Sequence, residues 1–195
     1  MVCSNQFENF PVKPLNHLAV AVGLIALLVA LTDALAQPEE AELQAASKAA
    51  AEYLQAYFRG EAERVVNLIH PETLAEGKRL IVAQYEMAAE TGTMASFQET
   101  LGLKGDPAEL VNLEAAVLYA RLIEAEHEHL SPSEKAALGD TRVLADDARF
   151  VDTDIVRVSL RLLGPGPHGY IEQTTFIDMA MHEGQWLVLG DSPEP

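Results

Sequence analysis

At Asp140 the hydrophobic period of this chain changes from that of helices to that of strands. Apolar residues three and four apart make one stripe on a helix, whereas strict alternation makes one face of a half-buried strand. Beyond Asp140 the alternation is plain. In Ile155–Leu163, Val156, Val158, Leu160 and Leu162 point one way, and Arg157, Ser159 and Arg161 the other. Arg142–Phe150 reads as a weaker strand and Asp152-Thr153-Asp154 as a turn. Gly164–Gly169 reads as a loop, Tyr170–His182 as a long strand, Glu183-Gly184 as a tight turn and Gln185–Leu189 as the last strand. Short connections between successive strands give antiparallel pairing, hence a meander.

Before Asp140 the pattern is helical. Leu43, Ala46, Ala50, Tyr53, Leu54 and Tyr57 form one apolar stripe on a first helix over Glu39–Phe58, with Gly60 placed to close it. A short second helix, Glu61–Ile69, stops at His70-Pro71, because the residue before a proline is pushed out of helical conformation. A third spans Glu72–Thr91 and ends at Gly92; a turn of helix follows over Ser96–Leu101. Asp106-Pro107-Ala108-Glu109 carries start signals for a helix running to His129. Its middle, Ala115–Ala120, is apolar nearly all round, which predicts the most buried helix. Ser131-Pro132-Ser133-Glu134 opens a last short helix closed by Gly139. The expected class is therefore α+β, with N-terminal helices packed on a C-terminal antiparallel meander.

Upstream of all this, Leu18–Leu31 is an unbroken apolar or small-residue run. That is the length of a signal-peptide h-region, short of the roughly 20 residues that span a bilayer. Ala34-Leu35-Ala36 then makes a small-x-small site, so cleavage is expected between Ala36 and Gln37. The n-region carries one basic residue, Lys13, with Glu8 nearby, and an uncleaved anchor is the alternative reading. The expected organisation is a signal peptide over 1–36 and one domain over 37–195, exported to the periplasm or beyond. Cys3, the single cysteine, leaves with the signal, so the mature domain must be held by its core alone.

The chain has 13 basic and 30 acidic residues, a net charge of −17. Loss of residues 1–36 removes one base and two acids and leaves about −16. Such a surface argues against nucleic acid, whose phosphates need basic partners, and against anionic membranes.

The stretch from Tyr53-Leu54-Gln55-Ala56-Tyr57-Phe58-Arg59-Gly60 through His70-Pro71-Glu72, with the terminal Gly184-Gln185-Trp186-Leu187-Val188-Leu189, resembles the nuclear transport factor 2-like superfamily. The resemblance implies a strongly bent sheet wrapped around the helices as a cone. It admits isomerases, dehydratases and cyclases, and also non-catalytic ligand-binding, transport and assembly modules. Residues 72–138, almost wholly helical here, depart from the early strand pair usual in that superfamily. Fold alone does not choose among these functions.

The residues that could carry chemistry are few. Gly164-Pro165-Gly166-Pro167-His168-Gly169 spells G-x-G-x-x-G, yet no helix follows to hold a pyrophosphate and two prolines remove backbone donors. A hairpin loop is the better reading, and no cofactor is expected. Glu124, His127 and Glu128, with Glu126 and His129, lie one helical turn apart and are the densest set of potential metal ligands. The H-E-x-x-H zinc spacing is absent, so a solvated helix end is the better reading and no metal is expected. Asp146, Asp147, Asp152 and Asp154 lack a calcium-loop pattern. No G-x-S-x-G occurs.

What remains is acid–base chemistry. Asp178 shares a strand face with Phe176 and Ala180, where apolar surroundings would raise its pKa, and His70 and Tyr85 are helix-side partners. The preferred reading puts Asp178 on the solvent face of a half-exposed strand, with Ile177, Met179 and Met181 facing the core. The leading expectation is a non-catalytic module whose cone, lined by Tyr57, Phe176 and Trp186, binds a small apolar ligand or a protein partner, a second copy included. An isomerase- or dehydratase-type enzyme using Asp178, and a structural partner of an envelope protein, are the alternatives.

Overall fold

In the computed structural model the described residues are 39–101, 107–166 and 169–191. The apolar run Leu18–Leu31 and the Ala36/Gln37 site lie outside them. Helix α1 covers residues 39–58. It is followed by α2 (Ala62–Val66), α3 (Pro71–Thr91), α4 (Met94–Leu101), α5 (Pro107–Leu110), α6 (Ala115–His129) and α7 (Pro132–Gly139). Four strands close the order: β1 (Arg142–Asp152), β2 (Ile155–Gly166), β3 (Gly169–His182) and β4 (Gln185–Asp191). They form one sheet in the order β1-β2-β3-β4, antiparallel throughout. The chain is α+β, helices first and meander second. Among the described residues no helix is long and apolar enough to cross a membrane.

The local signals act as chemistry requires. His70 caps α3, its Nδ1 accepting the Glu72 N–H at 3.3 Å, and Pro71 sits where no helical N–H is needed. Gly92 ends α3 at φ 70°, a left-handed conformation cheap only for glycine. Ser131 and Glu134 form a reciprocal capping box at the start of α7. The Glu134 carboxyl is lowered by accepting from Ser131. At the β3–β4 turn both Glu183 and Gly184 have positive φ, 50° and 83°, the twist that lets a two-residue turn join strands without splaying them.

Three helical expectations need correction. The second helix is only Ala62–Val66. Beyond it Ile69 bridges Val188 in parallel, and the Leu68 carbonyl and His70 N–H bond the backbone of Val188, so this segment lies beside β4. The expected helix from Pro107 to His129 is broken at residues 111–114. Nor is its middle buried all round: Leu118 is fully enclosed, but Val117 is 42% exposed. An apolar helix sequence without an apolar neighbour on every side keeps one face in water.

The core has two main parts. Ala46 and Ala50 of α1 lie on the sheet's inner face against Val156, Val158, Leu160, Ile177, Met179, Trp186 and Val188. Alanine here lets helix and sheet approach closely. A second cluster joins Ala56 of α1, Val65 and Val66 of α2, Leu74 of α3 and Ile123 of α6. Leu118 and Ala125 of α6 pack separately with Ile81, Leu113 and Leu122.

Candidate functional site

Asp178 alternates with the buried Ile177 and Met179 and therefore sits on the sheet's outer face. Register sets it opposite Arg157 of β2. The guanidinium donates from Nε to Oδ1 at 2.8 Å and from a terminal nitrogen to Oδ2 at 3.0 Å. The two side chains are 22% and 20% exposed, arginine first. A carboxylate gripped this way has its lone pairs committed to a fixed fork. The bond raises the Arg157 guanidinium still further above its already high value. Along the same face Arg161 reaches Asp146 at 2.9 Å and Glu172 at 3.5 Å. The outer face is a ladder of charge pairs.

The suggested helix-side partners of Asp178 are dispersed. His70 caps the first turn of α3, and Tyr85 lies 15 residues further on, about 22 Å along a helix axis. The Tyr85 ring packs edge-on to Phe97, centroids 6.2 Å apart. His70 instead meets His182 edge-on at 4.9 Å. His182 is four residues from Asp178 on β3, about 13 Å along the strand. No three of these side chains converge on one reacting atom.

The suggested pocket residues are likewise separated. Trp186 is 7% exposed and packs edge-on to Phe150 at 6.4 Å within the inner-face core. Phe176 lies on the opposite face, with Asp178. Tyr57 alone lines a cleft. That cleft, about 190 Å³, is formed by Tyr57 and Phe58 of α1, Ile123, Glu126 and His127 of α6, and Leu130 and Leu138 around α7. The Tyr57 hydroxyl donates to Glu126 Oε2 at 2.5 Å, tying α1 to α6. Gly60 makes the approach possible: at φ 68° it tolerates the turn, and a Cβ there would sit 2.6 Å from the His127 ring. Two broader depressions, about 430 and 460 Å³, are shallow; the first lies between α2 and α6 and the second along α3.

Glu124, His127 and Glu128 do not assemble around one point. Glu124 lines one of the broad depressions, while His127 turns to Gly60 and the cleft. Among the described residues no three His, Cys, Asp or Glu side chains stand together as a metal-binding set. Asp152 bonds the backbone N–H of Thr153 and Asp146 is held by Arg161, each a local role. Gly164 and Gly166 end β2 and Gly169 opens β3, so the G-x-G-x-x-G string forms the tip of a hairpin; residues 167 and 168 lie outside the description.

Sequence reasoning missed Glu126, Phe58, Leu130 and Leu138 of the cleft, and the Arg157 partner of Asp178. The cleft residues left no motif, because they come from three separate helices far apart in the chain. Compared with protein-family models, curated proteins and solved structures, the chain matches none.

Proposed function

We propose that this protein is an exported, non-catalytic binding module of nuclear transport factor 2-like type, whose ligand enters the cleft between α1, α6 and α7. The observation that supports this reading is a largely apolar cleft with a fixed polar contact, Tyr57–Glu126, among its lining residues. Apolar walls with few, fixed polar groups are the usual make-up of small-ligand sites. The size limits the ligand: a cavity of about 150 Å³ can hold benzene, so the cleft suits one ring or one branched aliphatic group. The chain's net charge of −17 and the Glu126 carboxylate disfavour an anion and favour a neutral or cationic ligand. A cone-shaped sheet would add apolar wall to such a site.

Native mass spectrometry of the protein purified from a host that exports it tests the reading. A retained small-molecule mass is expected. Leu130→Trp, which adds bulk to the lining of the cleft, should remove that mass without unfolding the chain. A bare protein that also shows no shifts at Tyr57 or Ile123 in a fragment screen by nuclear magnetic resonance would sink the idea. So would a ligand that survives Leu130→Trp.

A further inference from the structure

The cleft between α1, α6 and α7 brings rings and one carboxylate together without a basic residue. Tyr57, Phe58 and His127 supply the rings, Ile123, Leu130 and Leu138 the aliphatic wall, and Glu126 the carboxylate. No lysine or arginine is among these lining residues. Among the described residues no lysine or arginine forms an ion pair with Glu126, although Arg64, Arg79, Arg157 and Arg161 each hold an acid elsewhere. The carboxylate is nonetheless fixed beside the rings, because its Oε2 accepts the Tyr57 hydroxyl. The Tyr57 ring meets Phe58 edge-on, centroids 6.3 Å apart. Gly60 backs the His127 ring: a Cβ there would fall 2.6, 2.7 and 2.8 Å from three of its atoms.

This lining restricts the charge of an occupant. An anion would meet Glu126 and a net charge of −17 with no basic side chain in the lining to receive it. A neutral apolar occupant would crowd water from the carboxylate and return no partner for it, which is unfavourable. A cation offsets that loss at Glu126, and the negative faces of aromatic rings attract it as well.

The lining also restricts the number of N–H groups. A primary ammonium carries three donors and a guanidinium five. Against them the cleft sets Glu126, one oxygen of which already serves Tyr57, among rings and aliphatic side chains. An ammonium alkylated on nitrogen has few N–H groups or none to satisfy, and its methyl groups pack on apolar walls. A trimethylammonium head has about the bulk of benzene, which a cavity of about 150 Å³ can hold. The cleft, at about 190 Å³, leaves room for a short tail.

Given that this cleft is the binding site, we infer that its ligand is an organic cation with an alkylated ammonium head, seated between the rings and Glu126. Glu126 selects the charge, and the rings and aliphatic side chains select the alkylation.

Three probes separate charge from bulk. Choline has both, 3,3-dimethylbutan-1-ol is its neutral carbon isostere, and ethanolamine keeps the charge without the methyl groups. Titrations by nuclear magnetic resonance, on the protein purified from the exporting host, follow the signals of Tyr57, Ile123 and Leu130. Choline should bind with Kd on the order of 0.1–10 mM, roughly tenfold more tightly than either of the others. Glu126→Gln keeps an acceptor for the Tyr57 hydroxyl and removes the charge. It should weaken choline about tenfold and bring it level with its isostere, while circular dichroism stays unchanged. An isostere that binds as tightly as choline, or a choline advantage that survives Glu126→Gln, would overturn the cation and leave the cleft a site for neutral ligands. Ethanolamine matching choline would overturn the alkylated head. Choline that shifts none of the three residues would overturn the inference outright. The mass retained in native mass spectrometry then shows separately whether the protein binds a small molecule at all.

Discussion

The inner face of the sheet presents Val156, Val158, Leu160, Ile177, Met179, Trp186 and Val188 to the alanines of α1, whereas the outer face carries Arg157–Asp178 and Arg161 with Asp146 and Glu172. The same strands build both, and the two faces contribute different things. Apolar burial is strong and non-directional: it holds the helix but tolerates a slide along the strand by two residues, which keeps every apolar side chain facing inward. A fork of two N–H donors on one carboxylate has no such tolerance. A slip of two residues between β2 and β3 would put Arg157 against Phe176 or Ala180. The inner face supplies stability, and the outer face selects the register.

The largest effect that would test this division comes from Leu160→Ala, at the centre of the inner face with no exposed surface. A loss of about 2–5 kcal/mol is expected in denaturant unfolding. Ser159→Ala, its outer-face neighbour, should stay within about 0.5 kcal/mol. Similar losses at both positions would break the comparison.

Gly60→Ala comes next. It forces an L side chain to φ 68° and drives a Cβ against His127, so a loss of about 1–3 kcal/mol is expected. Because the same contact shapes the cleft, this variant should also weaken ligand retention, which no inner-face truncation of the sheet is expected to do selectively.

A smaller effect sits in the helical layer. Burial of Tyr119, whose hydroxyl lies against Gly77 of α3, raises its pKa above the ordinary value of 10.0. The unfolded chain therefore loses this proton at lower pH than the folded one. The stabilisation is complete below pH 10 and is lost as pH rises through the folded value. Thermal unfolding of Tyr119→Phe should fall less steeply than wild type above pH 10, and equal slopes would show that the hydroxyl is solvated in the fold.

These expectations separate what could be read in the sequence from what could not. Period-two alternation revealed the four strands, and proline, glycine and serine punctuation revealed most helix ends, because those signals are local. The helix break at 111–114 escaped notice, because Val111 and Leu113 continue an apolar pattern. The Arg157–Asp178 pair was missed for a sharper reason. Placing the loop at Gly164–Gly169 centres the hairpin one residue too early and sets Arg157 opposite Phe176. The observed Gly166–Gly169 pairing moves the centre and delivers Arg157 to Asp178. The cleft was illegible because Tyr57, Ile123 and Leu138 meet only in three dimensions.

The smallest effect expected is at Asp178. Asn at this position keeps an acceptor for one Arg157 N–H but removes the charge. If the carboxylate serves register alone, Asp178→Asn should leave ligand retention in the cleft within about twofold, as isothermal titration or native mass spectrometry would measure it. Tyr57→Phe, which breaks the hydrogen bond from α1 to Glu126, should change retention more, although it removes a single oxygen from a site on another layer. The reverse order of effects, with Asp178→Asn abolishing a turnover or a binding that Tyr57→Phe leaves intact, would move the functional centre to the outer face. The charge ladder would then be a substrate-binding row, and the division between the two faces drawn here would fail.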